Sequence, residues 1–336
     1  MAIGRVVTLA LAMVLPLARG IDLERGEASA KATPWVRKID DGLRRRASVI
    51  VGPKVVIVGG SNVLFGFDAP SMSEAIGCPV IAYGLHAGIG IDVIAERASG
   101  IVRLGDIVVY CPELPNFKHE FGVNYALRSD IAALFESDVD RSIGRPPVRT
   151  WHVARERLGN DLRAASQSWS LPLSRLATGR WGEPVDAVPL RPYSLEAIDE
   201  GGNLVFPRPN RARQLEAWKR HEIDPAAYDL DGSAGTTGLR VLDEVCREIG
   251  ATLIVQPGVR LVNDDQSVPA EQGEIIAREN DWVEVAAAMG RPRLLAPGEN
   301  VLPMAFAYDS DWHLNDAGVA LMQDRFVDAL RPYLRR

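Results

Sequence analysis

Ser61 follows a strand-like run that ends in two glycines, a position where a hydroxyl can act as a nucleophile. The run 55–58 consists of four β-branched residues, Val-Val-Ile-Val, which is typical of a strand buried on both faces of a parallel sheet. Gly59 and Gly60 permit a sharp turn, so a helix can begin at once, and its first amides could bind an oxyanion. The alternative is that Ser61 only caps this helix, a role that serine often fills.

His313 is the second candidate, because it stands near two carboxylates and before an amphipathic helix. A carboxylate fixes the tautomer of an imidazole and stabilises the imidazolium that forms when the ring takes a serine proton. Asp311, two residues before the histidine, and Asp309, four before, compete for this role. We favour Asp311 because it is nearer in the chain, since Asp309 can reach the ring only if the turn folds back. The alternative is a partly exposed histidine close to surface acids.

The elements around these residues alternate between strand and helix, which is typical of parallel βαβ units. Strand patterns cover 55–59, 79–83, 107–111 and 251–255, with a fifth at 293–295, and helix patterns cover 91–104, 237–250 and roughly 282–289. Carboxyl ends of parallel strands meet at one edge of a sheet. We therefore expect Ser61 and His313 to lie within hydrogen-bond reach, ~2.6–3.2 Å, or somewhat further apart without substrate.

Between about 117 and 235 the regular pattern fails, and tryptophan, arginine and proline are frequent. We interpret this region as a large irregular insertion that covers the carboxyl edge of the sheet, where substrate would enter. Its aromatic and arginine side chains could bind sugars or anionic groups, or they could form the packing of the insertion itself.

The amino terminus predicts export, because residues 6–18 form an apolar run between Arg5 and Arg19. The run is short for a membrane span of ~20 residues but suits a signal peptide or signal anchor over 1–20. The remaining residues, 21–336, form one predicted domain. The net charge of −6 does not favour binding to nucleic acid. The three cysteines cannot form a disulfide framework. No metal-ligand motif or cofactor motif is found in the sequence, so we expect neither a metal nor a cofactor.

Three motifs together resemble the SGNH/GDSL hydrolase superfamily, and more narrowly its exported branch related to alginate O-acetylation and D-alanyl-transfer proteins. They are Gly-Gly-Ser-Asn at 59–62, Gly84 after the second strand, and a carboxylate followed by His-Leu-Asn at 313–315. The resemblance covers about 50–125 and 237–336. It implies a flavodoxin-like α/β fold, with a mostly parallel sheet that has helices on both faces.

The same resemblance implies the site residues. Ser61 would be the nucleophile, His313 the base, and the amides of Ser61 and Gly84 would contribute to the oxyanion hole. The first motif is Gly-Gly-Ser rather than Gly-Asp-Ser, and the usual Asp-x-x-His spacing would place the acid at Ser310. Asn116 is the candidate for the asparagine that follows the third strand in the family.

The implied function is that of an exported serine esterase or O-acyltransferase, in the periplasm or anchored facing it. Its substrates would be acyl esters, with acetyl the expected group, of a polysaccharide or envelope glycan, and a membrane partner could supply the acyl donor. Water as acceptor gives hydrolysis and a sugar hydroxyl gives transfer. One alternative is a catalytically inactive SGNH-like protein that binds glycans. A dinucleotide loop is a weaker alternative, since glycines at 59, 60 and 66 do not form GxGxxG.

Overall fold

The computed structural model describes residues 34–117, 194–209, 232–262, 268–310 and 312–334. The chain divides into two compact units, residues 1–37 with 123–195 and residues 38–122 with 196–336. Nearly all described residues belong to the second unit. The predicted signal segment 1–20, Asp311 and most of the predicted insertion at 117–235 lie outside the described residues. Within the described ranges, no helix combines the length and apolarity that a membrane span requires.

Four parallel strands form the central sheet, in the spatial order β2-β1-β3-β4. They are β1 (Val55–Gly59), β2 (Val80–Gly84), β3 (Ile107–Cys111) and β4 (Thr252–Val255). The predicted α/β class with a mostly parallel sheet is therefore confirmed. The chain runs from β1 to β2 on one side and then returns to β3 on the other side of β1. The two crossovers thus diverge at the carboxyl ends of β1 and β3, where open α/β sheets bind their ligands.

The predicted fifth strand at 293–295 is reduced to one parallel bridge between Arg293 and Val255. The ladder stops there because Leu295 donates its N–H to the side chain of Gln256 (2.8 Å) rather than to another strand. A separate parallel pair, β5 (Arg260–Val262) and β6 (Val301–Pro303), was not predicted.

Seven α-helices of the described chain surround these sheets. They are α1 (34–49), α2 (Ser61–Gly66), α3 (Ala69–Ile76), α4 (Ile91–Ser99), α5 (Ala234–Ile249), α6 (Val268–Ala288) and α7 (Asp316–Leu334). The prediction for α4 ran five residues too far, because the helix ends at Gly100, whose N–H donates to the carbonyl of Arg97 three residues before it (3.3 Å). Helix α6 begins well before residue 282. The prediction missed its first turns because the sequence there shows no stripe of apolar residues at helical spacing.

Alternate residues of β1 point to opposite faces of the sheet, and helices cover both faces. Val55 and Ile57 belong to a core cluster that α3 and α7 complete with Met72 and Phe326. On the opposite face Tyr110 of β3 donates its hydroxyl proton to the carbonyl of Gly235 in α5 (2.7 Å). A strand between two layers of helices must be apolar on both sides, which explains the unbroken run in β1.

A fully buried ion pair joins the amino ends of β1 and β3. Lys54 and Asp106 both have 0% side-chain exposure, and Lys54 Nζ lies 2.5 Å from Asp106 Oδ2. Asp106 also accepts the backbone N–H of Lys54 (3.0 Å) and of Arg103 (2.7 Å). The carboxylate thereby satisfies three donors at the edge of the sheet opposite to Ser61.

Candidate active site

Ser61 is the first residue of α2, at the carboxyl end of β1 and beside the loop that follows β3. Gly60 precedes it, and a Cβ there would lie 3.0 Å from Glu113 Oε1 and 3.1 Å from Ala87 Cβ. A glycine at position 60 thus lets the loops after β2 and β3 close on the turn that presents Ser61.

Glu113, which the sequence did not single out, is the hydrogen-bond partner of Ser61. The Ser61 hydroxyl donates to Glu113 Oε1 (3.1 Å), and the N–H of Asn62 donates to the same oxygen (3.0 Å). Glu113 is buried, and it supplies the acceptor that an N-cap side chain would give to α2, since Gly60 has no side chain. Both Ser61 and His313 are described, and no hydrogen bond joins them; their pairing as nucleophile and base stays a prediction.

Asn116, the predicted oxyanion donor, holds the loop that carries Glu113. Its side-chain oxygen accepts the N–H of Glu113 (2.9 Å), and its own N–H donates to the Glu113 carbonyl (2.9 Å). The residue lies in a short 3₁₀ turn, Leu114–Phe117, directly after β3. The structure therefore places Asn116 next to the partner of Ser61, and its predicted part in an oxyanion hole stays a prediction.

Gly84 ends β2 in register with Gly59 and packs directly on the backbone of α2. A Cβ at Gly84 would lie 2.3 Å from the backbone nitrogen and 2.8 Å from the Cα of Leu64. This close approach requires glycine whether or not the amide binds an oxyanion. The predicted oxyanion role of Gly84 stays a prediction.

His313 is buried, and its Nδ1 lies 2.6 Å from Asp309 Oδ1. The turn folds back so that Asp309 reaches the ring: the N–H of Tyr308 donates to the carbonyl of His313 (2.8 Å), and Ala307 forms an antiparallel bridge with Leu314. The structure thus places Asp309 against the imidazole, while Asp311 lies outside the described residues, so its predicted part as the acid stays a prediction. With Nδ1–H bonded to a carboxylate, Nε2 is the nitrogen that can accept a proton.

Phe65 links His313 to the helix of Ser61. The His313 ring stacks on Phe65 with centroids 4.0 Å apart and planes 10° apart. Ser61 and Phe65 are four residues apart in α2, so they lie on the same face of the helix, about 5–6 Å between Cβ atoms. Arg208 reinforces the arrangement, because it donates to the Phe65 carbonyl (2.9 Å) and to Asp316 at the start of α7 (3.1 Å).

His86 is a further residue of this edge that the sequence did not single out, although it stands two residues after Gly84. Its Nδ1 accepts the N–H of Gly88 (3.0 Å), so the neutral ring carries its proton on Nε2. Burial, and next the charge of His313, lower the pKa of His86 to about 4. His86 is therefore neutral at neutral pH.

Within the part of the chain that the structure describes, no three His, Cys, Asp or Glu side chains are grouped to hold a metal ion. The chain matches no protein-family model, no curated protein and no solved structure with which it was compared.

Proposed function

We propose that the chain is an exported serine esterase or O-acyltransferase, acting on acyl esters of a polysaccharide or envelope glycan. The observation that carries this proposal is the 2.6 Å hydrogen bond between Asp309 and His313, on a ring that stacks one helical turn from Ser61. Acyl transfer through serine requires an imidazole that a carboxylate holds in the correct tautomer, and the bond between Asp309 and His313 supports that role.

The sheet supports the narrower likeness to SGNH hydrolases. Its order β2-β1-β3-β4 is that of the first four strands of a flavodoxin-like sheet. Ser61 follows β1 and Glu113 follows β3, so the candidate site lies where the two crossovers diverge. The apolar run at 6–18 supports export, and a membrane partner would then be well placed to supply the acyl donor.

The proposed reaction proceeds in two transfers. His313 Nε2 takes the proton of Ser61 Oγ as the oxygen attacks the ester carbonyl, while Asp309 stabilises the imidazolium. The amides of Ser61 and Gly84, with Asn116, would hold the oxyanion. The alcohol leaves with the proton from His313, and an acyl ester remains on Ser61. Water or a sugar hydroxyl then gives its proton to His313 and takes the acyl group, and Ser61 regains its proton.

The direct test is labelling with a fluorophosphonate probe. Purified protein incubated with the probe should gain one adduct, and peptide mass spectrometry should locate it on Ser61. Prior reaction with an activated acetyl ester should slow labelling, because the acyl-enzyme occupies the same oxygen. Absence of any adduct on Ser61 in folded protein would refute the proposed function.

A second prediction separates the two candidate acids. Asp309→Asn should lower kcat for an activated acetyl ester by about 10⁴-fold, because the amide no longer holds the imidazole in the tautomer that accepts the serine proton. Asp311→Asn makes the same chemical change two residues away and is the matched control, with an expected loss below tenfold. A larger loss for Asp311→Asn than for Asp309→Asn would reverse the assignment.

One observation favours the second candidate, a catalytically inactive glycan-binding protein. The Ser61 hydroxyl is bonded to Glu113 and not to His313 in this structure. An inactive protein would give neither an adduct nor turnover, yet it would still bind acylated glycan, so the labelling experiment with a parallel binding assay distinguishes the two functions.

A further inference from the structure

We propose that Glu113 is a positioning residue that holds the Ser61 hydroxyl in a resting orientation, in competition with His313. The inference rests on the proposed serine chemistry and adds a control step to it. Before Ser61 can attack, its hydrogen bond to Glu113 must break so that the proton can be directed to His313.

Competition follows from the chemistry of the hydroxyl, which has one proton to donate. The hydroxyl donates this proton in a hydrogen bond to Glu113 Oε1, which lies 3.1 Å from Ser61 Oγ. A carboxylate acceptor makes a hydrogen bond roughly twice as strong as a neutral one. A neutral imidazole therefore competes for the Ser61 proton at a disadvantage for as long as the carboxylate is in place.

Glu113 is built into this position by several groups. The N–H of Asn62 donates to the same carboxylate oxygen (3.0 Å), and Asn116 holds the backbone of Glu113 on both sides. Gly60 leaves the space that the carboxylate occupies, since a Cβ there would lie 3.0 Å from Oε1. The contact between Ser61 and Glu113 thus depends on three other residues, Gly60, Asn62 and Asn116.

The charge of Glu113 also opposes the reaction itself. Burial, and next the negative charge of Glu113, raise the pKa of the neighbouring Cys111 thiol. An oxyanion that forms on the substrate beside Ser61 would be repelled by the same charge. Glu113 therefore stabilises the resting site more than the reacting one.

The competing explanation is purely structural, with Glu113 serving only to cap α2. The two explanations predict opposite signs. Loss of a structural cap lowers stability and slows the reaction or leaves it unchanged, whereas loss of the competing acceptor makes Ser61 more reactive.

The experiment compares the labelling rate of Ser61 by a small fluorophosphonate in wild type and Glu113→Gln. In this step the bond from Ser61 Oγ to phosphorus forms, the P–F bond breaks, fluoride leaves, and the proton passes to His313 Nε2. Glutamine keeps the size of the side chain and removes its charge, so labelling should become about fivefold faster. Glu248→Gln is the matched control, since this exposed glutamate lies at the end of α5 that leads into the amino end of β4.

Equal or slower labelling of folded Glu113→Gln overturns the inference. Thermal unfolding of each variant establishes that it is folded. If Glu113→Gln does not fold, Glu113→Asp decides, because it withdraws the carboxylate by one methylene and should also label faster. Loss of the fold in both variants shows a structural cap and overturns the inference. Absence of label on wild-type Ser61 refutes the proposed function instead, so the two failures are distinguishable.

Discussion

Replacing Ser61 by alanine is expected to lower kcat for an activated acetyl ester by about 10⁴- to 10⁶-fold. In the proposed mechanism the variant loses the oxygen that would carry the acyl group, so only binding and the proposed oxyanion donors would remain to accelerate attack by water. His313→Ala should lose a comparable factor, because Ser61 then has no base. The measurement is steady-state hydrolysis of p-nitrophenyl acetate by each purified variant.

Non-additivity makes this result specific. The double variant Ser61→Ala/His313→Ala should be scarcely worse than either single variant, since the two residues act as one unit. Ser99→Ala is the control, because the Ser99 hydroxyl is bonded to the carbonyl of Glu96 at the end of α4, far from the carboxyl edge of the sheet. Losses that multiply in the double variant would contradict a shared mechanism.

Replacing Asp106 by alanine should lower the free energy of unfolding by about 3–5 kcal/mol. The change leaves the ammonium of Lys54 fully buried without a counter-charge and removes the acceptor for two backbone N–H groups. Urea unfolding followed by circular dichroism measures the loss.

Two further variants test whether loss of the buried ion pair causes this destabilisation. Asp281→Ala breaks an exposed pair with Arg278 at 3.1 Å, and it should cost about 1 kcal/mol or less because solvent screens exposed charges. Lys54→Met/Asp106→Leu removes both buried charges and should be less destabilised than Asp106→Ala alone. If the free energy of unfolding of Asp106→Ala lies within about 1 kcal/mol of the wild-type value, the buried pair does not stabilise the sheet.

The central sheet was predictable because its strands are apolar on both faces. The runs at β1 and β3 are long enough to stand out from the chain, and their parallel pairing follows from the helices between them. The weaker pattern at 293–295 predicted a fifth strand, which the structure reduces to one bridge because the side chain of Gln256 ends the ladder. Strands β5 and β6 have three residues each, so only their pairing across the chain defines them.

The candidate site was predictable in part. Ser61 and His313 stand out because each follows a strand or turn and precedes a helix. The contact of Asp309 depends on a turn closed by Tyr308 and His313, and chain distance alone favoured Asp311. Glu113 carried no local signal, since its contact with Ser61 arises only when β1 and β3 lie side by side. Spatial neighbours of this kind cannot be read from one stretch of sequence.

The stacking of His313 on Phe65 joins two segments that lie far apart in the chain, so we expect the site to be completed late in folding. Strand β1 and α2 lie early in the chain, whereas the imidazole belongs to a turn about 250 residues later, next to α7. Contacts between such distant segments form late in folding, because a long loop must close first. A chain made from its amino end would present Ser61 bonded to Glu113 long before a base is at hand. The proposed ester chemistry would therefore require that α7 has docked on the sheet.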